Sequence, residues 1–107
     1  MRIYGLKTCD TCRAAVKALA GQGAVLVDVR EAPLPAAKVA RFLDVLGEAL
    51  VNRRSTTWRG LSEAERAAPP EALLAVHPAL MKRPVIESGG ALYLGWDAEV
   101  KAALGVA

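Results

Sequence analysis

Apolar positions along this chain fall into short runs and helical stripes separated by glycine and proline, and the spacing predicts most of the elements. Met1 to Tyr4 reads as a short strand closed by Gly5, and Arg13 to Ala20 as a helix stopped by Gly21 and Gly23. Ala24-Val25-Leu26-Val27-Asp28-Val29 is nearly continuously apolar and rich in valine, which predicts a strand covered on both faces and lying parallel to the first. A right-handed crossover through the intervening helix would join the two strands into a βαβ unit of about 30 residues.

Pro33 and Pro35 punctuate a loop. Beyond it Val39, Phe42, Leu43 and Leu46 follow the i, i+3, i+4, i+7 pattern of an amphipathic helix from Ala36, with Gly47 placed to end it. Ser62 and Glu65 have capping-box spacing, which predicts a short helix over Glu63 to Ala68, and Glu71 to Val76 reads as another after Pro69 and Pro70. Val85-Ile86-Glu87 and Ala91-Leu92-Tyr93-Leu94, separated by Ser88-Gly89-Gly90, have the signature of an antiparallel hairpin. Asp97 is a candidate cap for a last helix to Leu104, ended by Gly105. The order predicts an α/β fold: a mixed four-stranded sheet flanked by helices, with an inserted helical segment before the hairpin.

Length and composition narrow the picture. With 107 residues and 53% apolar side chains, the chain is expected to form one domain over residues 1–107. No apolar run approaches the ~20 residues a membrane span needs. The first residues carry no secretory-signal pattern, so a cytoplasmic location is expected and no membrane partner. The formal charge of +3, with Arg53, Arg54 and Arg59 close together, predicts a solvated basic face rather than direct nucleic-acid binding, because no stretch interleaves many basic residues with aromatics.

The two cysteines change the picture most. Cys9 and Cys12 frame a C-x-x-C motif at the turn from the first strand into the first helix. In a reducing compartment such a pair is redox-active or metal-binding more readily than a permanent staple. A thiolate is the reactive form, and unpaired N–H groups at a helix start, with Lys7 and Arg13 nearby, would stabilise one on Cys9. Asp10 opposes them, unless its carboxylate caps the helix. Cys12, one helical turn on, is placed to attack a mixed disulfide formed on Cys9. Zinc would need further ligands, and His77 is the one histidine available; two small buried hydrophobes is the third reading. His77 precedes Pro78 at a helix end, where capping of carbonyls is the expectation, and Trp58 and Trp96 are expected to pack against a core.

Three segments carry a family resemblance. They are Tyr4-Gly5-Leu6-Lys7-Thr8-Cys9-Asp10-Thr11-Cys12-Arg13, Leu50-Val51-Asn52-Arg53-Arg54-Ser55-Thr56-Thr57-Trp58-Arg59 and His77-Pro78-Ala79-Leu80-Met81-Lys82-Arg83-Pro84-Val85-Ile86. Together and in order they resemble the arsenate reductase (ArsC), Spx and YffB-type family. The resemblance implies a thioredoxin-like fold with an inserted helical segment, Cys9 as the nucleophile, Arg83 as an anion-contacting arginine and a cis bond before Pro84. Arsenate reductases of this family hold the oxyanion with three arginines. Here the first position is Asn52, with Arg53 beside it, and the third falls near Gly95, so weak or absent arsenate reduction is expected.

The Asn-Arg-x-x-Thr-Thr-Trp segment is most similar to the YffB-type members, which implies a glutathione-linked thiol reductase. The catalytic set would be Cys9, Cys12 and Arg83, and the substrate-binding set Lys7, Asn52, Arg53 and Pro84. The substrate would be a small thiol or oxyanion. No bound cofactor is implied; glutathione, or a thioredoxin or glutaredoxin partner, would donate electrons. The C-x-x-C pair is similar to that of Spx, which leaves two alternatives: a redox-switched regulator that binds RNA polymerase, and a true arsenate reductase.

Overall fold

The structure is a computed structural model that describes residues 1–106. Its contacts divide the chain into two compact units, one formed by residues 1–29 with the segment from Arg83 onward, the other by residues 30–82.

The first unit is built on a four-stranded sheet. Its strands are β1 (Arg2–Gly5), β2 (Val25–Asp28), β3 (Val85–Ser88) and β4 (Ala91–Leu94), in the order β2-β1-β3-β4. β1 runs parallel to β2 with Ile3 opposite Leu26, and antiparallel to β3 with Ile3 opposite Ile86. β3 and β4 form the expected hairpin, Ser88 opposite Ala91. Gly89 and Gly90 both have positive φ, 57° and 82°, as a two-residue turn matched to strand twist requires. Two helices belong to this unit: α1 (Asp10–Leu19) and, near the C-terminus, α6 (Ala98–Ala103), whose cap Asp97 accepts from the Val100 N–H at 2.9 Å. Ile3, Ala15, Leu19, Ile86, Val100 and Leu104 form one buried cluster, with Trp96 and Tyr93 packed against it.

The second unit is helical. It holds α2 (Ala36–Leu46), α3 (Thr56–Arg59), α4 (Glu63–Arg66) and α5 (Pro70–Val76), with short 3-10 turns at Gly47–Leu50 and Pro78–Leu80. α2 ends at Gly47, whose φ of 66° lies in the left-handed region. α2 and α5 pack together, burying Val39, Phe42, Leu73 and Leu74. The capping box of α4 is complete: Ser62 Oγ accepts from the Glu65 N–H at 3.1 Å, and Glu65 Oε1 from the Ser62 N–H at 2.9 Å. An isolated antiparallel bridge, Val51 to Met81, ties the middle of the unit to its last residues, supported by Asn52 N–H to Leu80 C=O and Lys82 N–H to Leu50 C=O, both 2.7 Å.

Several expectations need correction. β2 is an edge strand: Val25 is 61% exposed and the next three residues are only half-buried. Its valines suit a strand backbone wherever it lies, so apolarity there reports β propensity more than coverage. α1 begins at Asp10 rather than Arg13, because a turn from Leu6 C=O to the Cys9 N–H (3.0 Å) delivers the chain directly into the helix. α3 has no counterpart among the elements predicted from periodicity, being too short to show a period. The His77 imidazole caps no carbonyl; its Nε2 lies 3.7 Å from Glu65 Oε2. Trp58 is half-buried, with the Arg53 and Arg66 guanidinium groups 5.4 and 5.5 Å from its ring.

Candidate active site

The turn between β1 and α1 places both cysteines. Leu6 is buried and anchors it, while Lys7 and Thr8 are exposed. The Lys7 N–H donates to Asp28 Oδ2 at 2.9 Å, so the end of β2 holds the start of the loop. Cys9 is the N-cap of α1: its backbone is extended (φ −87°, ψ 120°) and its carbonyl accepts the first helical bond, from Arg13 N–H at 3.0 Å. Asp10 caps nothing and instead faces Arg13 across 4.0 Å.

This position leaves the first-turn N–H groups of α1 to a sulfur rather than to a capping oxygen. Partial burial works against ionisation of Cys9. The backbone N–H and thiol of Cys12 and the Arg83 guanidinium outweigh it by hydrogen-bonding the sulfur, with Arg83 adding its charge, and hold the Cys9 pKa below the ordinary thiol value. Cys12, fully buried, behaves oppositely: burial first, then the adjacent Cys9 sulfur, push it up to about 11. Their surroundings thus drive the two thiols in opposite directions.

Gly5 makes this packing feasible. A side-chain carbon at that position would run into the Cys12 sulfur and sit 4.0 Å from Arg83 Cβ. In the sequence Gly5 reads only as a strand stop; the need for a bare Cα arises from the tertiary approach of Cys12. The Arg83–Pro84 bond is cis and Pro84 is buried, its carbonyl accepting the Gly95 N–H at 2.8 Å. Cys9, Cys12, Arg83 and Gly5 are therefore one constellation, with Lys7 and Pro84 on the segments that build it.

Asn52 and Arg53 lie in the second unit. Asn52 Oδ1 accepts from the Arg54 N–H at 3.0 Å and its carbonyl from Ser55 Oγ at 2.8 Å, so its side chain shapes the turn that starts α3. Arg53 stacks on Trp58. Both line an open cleft of about 650 Å³ whose other charged walls are Arg54, Lys82 and Glu48. Glu48 lies outside the three family segments, and Lys82 lies inside the third with no role implied for it; the bridge between Val51 and Met81 brings their two segments together. Among the described residues no three His, Cys, Asp or Glu side chains gather as metal ligands would, and no helix is long and apolar enough to cross a membrane.

Comparison with known proteins places this arrangement. Residues 4–104 match the sequence profile of the ArsC family. An uncharacterized protein of Haemophilus influenzae is 36% identical over 102 residues, covering 89% of this chain and 90% of that one. Among solved structures, the YffB protein superposes with a TM-score of 0.86 at 29% identity, covering 96% of each chain. An arsenate reductase (ArsC) related protein from Brucella melitensis superposes with a TM-score of 0.74 at 37% identity, covering 94% of this chain and 91% of that one. An arsenate reductase from Vibrio cholerae, 20% identical with a TM-score of 0.72 over 100% of this chain and 98% of its own, shares the fold. The mixed four-stranded sheet and its helices are thus the thioredoxin-like architecture common to these structures, and the chain belongs to the ArsC family.

Proposed function

We propose that this protein is a thiol–disulfide oxidoreductase, linked to glutathione, in which Cys9 attacks and Cys12 resolves. The observation that carries the reading is the asymmetry of the pair: Cys9 at the open start of α1, its sulfur hydrogen-bonded by Cys12 and Arg83, against Cys12 fully buried.

In the first step the Cys9 thiolate forms a bond to one sulfur of an oxidised substrate, and the other sulfur leaves as a thiolate that takes a proton from water. An ordinary cysteine is only a few per cent thiolate at neutral pH, so lowering the Cys9 pKa raises the reactive population directly. In the second step Cys12 gives up its proton and attacks the Cys9 sulfur, releasing the second substrate thiolate and leaving a Cys9–Cys12 disulfide. The high pKa of Cys12 suits this order, since a protonated Cys12 does not compete for substrate and becomes the stronger nucleophile once deprotonated. Two glutathione thiols then return the disulfide to two thiols and are themselves oxidised to glutathione disulfide. Arg83 steadies the Cys9 thiolate before the attack and again once the disulfide is reduced.

The test is intact mass after incubating the reduced protein with glutathione disulfide and the oxidised protein with glutathione. The reading expects one glutathione adduct that accumulates in Cys12→Ser and passes to an internal disulfide in the wild type. No adduct, or an adduct on Cys12 alone, defeats it. An internal disulfide formed by peroxide that glutathione cannot reduce would favour a redox-switched regulator instead.

A further inference from the structure

Asp10 stands next to Cys9 as the first residue of α1, and its side chain is fully exposed. Acidic residues in a first turn commonly stabilise a helix, but beside a cysteine that reacts as an anion such a charge acts against the reaction. Three basic residues are on the segments around it. Arg13 faces the Asp10 carboxylate at 4.0 Å, Lys7 begins the loop that Asp28 holds, and Arg83 is directed to the Cys9 sulfur. Asp10 directly follows Cys9 in the chain, and its carboxylate stands in solvent at the same helix start.

Resting on the oxidoreductase reading above, we propose that Asp10 is a charge gate on Cys9: it favours disulfide substrates carrying an ammonium group near the sulfur over those carrying a carboxylate there. The gate acts on the attack step, in which the Cys9 sulfur bonds the nearer substrate sulfur and the farther one departs as thiolate. It changes which substrate approaches, not the bonds made. Arg13 is the counter-charge that moderates it. One unit charge acting through water over several ångströms alters an encounter about two- to threefold per substrate charge at low ionic strength, and swapping an ammonium for a carboxylate doubles the effect on a logarithmic scale.

The experiment compares second-order rates of the full-length reduced protein with three small disulfides: cystamine (cationic), dithiodiglycolate (anionic) and hydroxyethyl disulfide (neutral). The readout is the cystamine-to-dithiodiglycolate ratio, each rate divided by the neutral one, so that changes in Cys9 ionisation or folding cancel. Asp10→Asn is expected to lower the ratio about five- to tenfold at low salt. Asp10→Glu should restore it, Arg13→Gln should raise it about twofold, and 0.5 M salt should flatten all of these. A ratio in Asp10→Asn equal to that of the wild type overturns the gate. Because each rate is divided by the neutral one, the ratio is read near pH 7, where cystamine keeps its ammonium groups, even from an ordinary thiol. A neutral-disulfide rate that titrates at the ordinary value therefore defeats the oxidoreductase reading, while the gate still stands or falls on the ratio.

Discussion

The starts of α1 and α3 meet the same electrostatic demand with opposite chemistry. At α3 the first-turn N–H groups are answered locally: Ser55 Oγ accepts from Trp58 at 3.1 Å, and Asn52 Oδ1 accepts from Arg54 one turn earlier. At α1 the N-cap is a cysteine, and its sulfur faces the Cys12 N–H in the place an oxygen would otherwise take. Both are sharp turns rich in small polar residues. The difference teaches that a helix start with its own cap is finished structure, whereas one capped by a polarisable, ionisable atom retains reactivity.

The severest break of that contrast is Cys9→Ser. It installs a better cap and removes the thiolate, so adduct formation with glutathione disulfide should fall to background while the melting temperature holds or rises, read by intact mass and thermal denaturation. Gly5→Ala comes next. The added methyl meets the Cys12 sulfur, and overpacking of this kind costs about 1–3 kcal/mol, or a fall in Tm of ~4–8 °C for each kcal/mol. Arg83→Gln should move the Cys9 pKa back toward the ordinary value. The rate of iodoacetamide labelling near pH 6.5 would then drop several-fold while the plateau at high pH stays, and an unchanged profile would remove Arg83 from the constellation.

The two cysteines also oppose each other in how stability follows pH. Cys12 is raised, so its contribution is fully present below the unfolded thiol value of ~8.5 and drains as pH climbs toward about 11. Cys9 is lowered, so its contribution is present above the unfolded value and is lost as pH falls through its folded pKa. Denaturation midpoints under reducing conditions should therefore decline on the alkaline side, and Cys12→Ala should flatten that decline. Ser55→Ala is the mildest change, removing one cap for about 1 kcal/mol, measured by urea denaturation.

Short-range chemistry made much of this protein legible in advance. The Gly89-Gly90 turn, the Ser62–Glu65 capping box, the Asp97 cap and the Gly47 stop each depend on residues within a few positions of one another, and each stands where spacing put it. The Cys9-x-x-Cys12 pair at a strand-to-helix turn belongs to the same class, because helix geometry alone sets one cysteine before the first turn and the other within it.

Tertiary structure decided what depends on distant neighbours. The start of α1 at Asp10 rather than Arg13 follows from the turn that Leu6 anchors, and the half-exposure of β2 from its place at the sheet edge. The division of labour between two identical side chains is of this kind too. Cys12 is driven against Gly5 and loses water, while Cys9 keeps partial access and receives a guanidinium from a residue 74 positions away, Arg83. Ionisation responds to desolvation and to charges a few ångströms off. Folding alone creates both, so the sequence by itself specified that two thiols would be one turn apart, and the packed sheet and helix specified which of them becomes the anion.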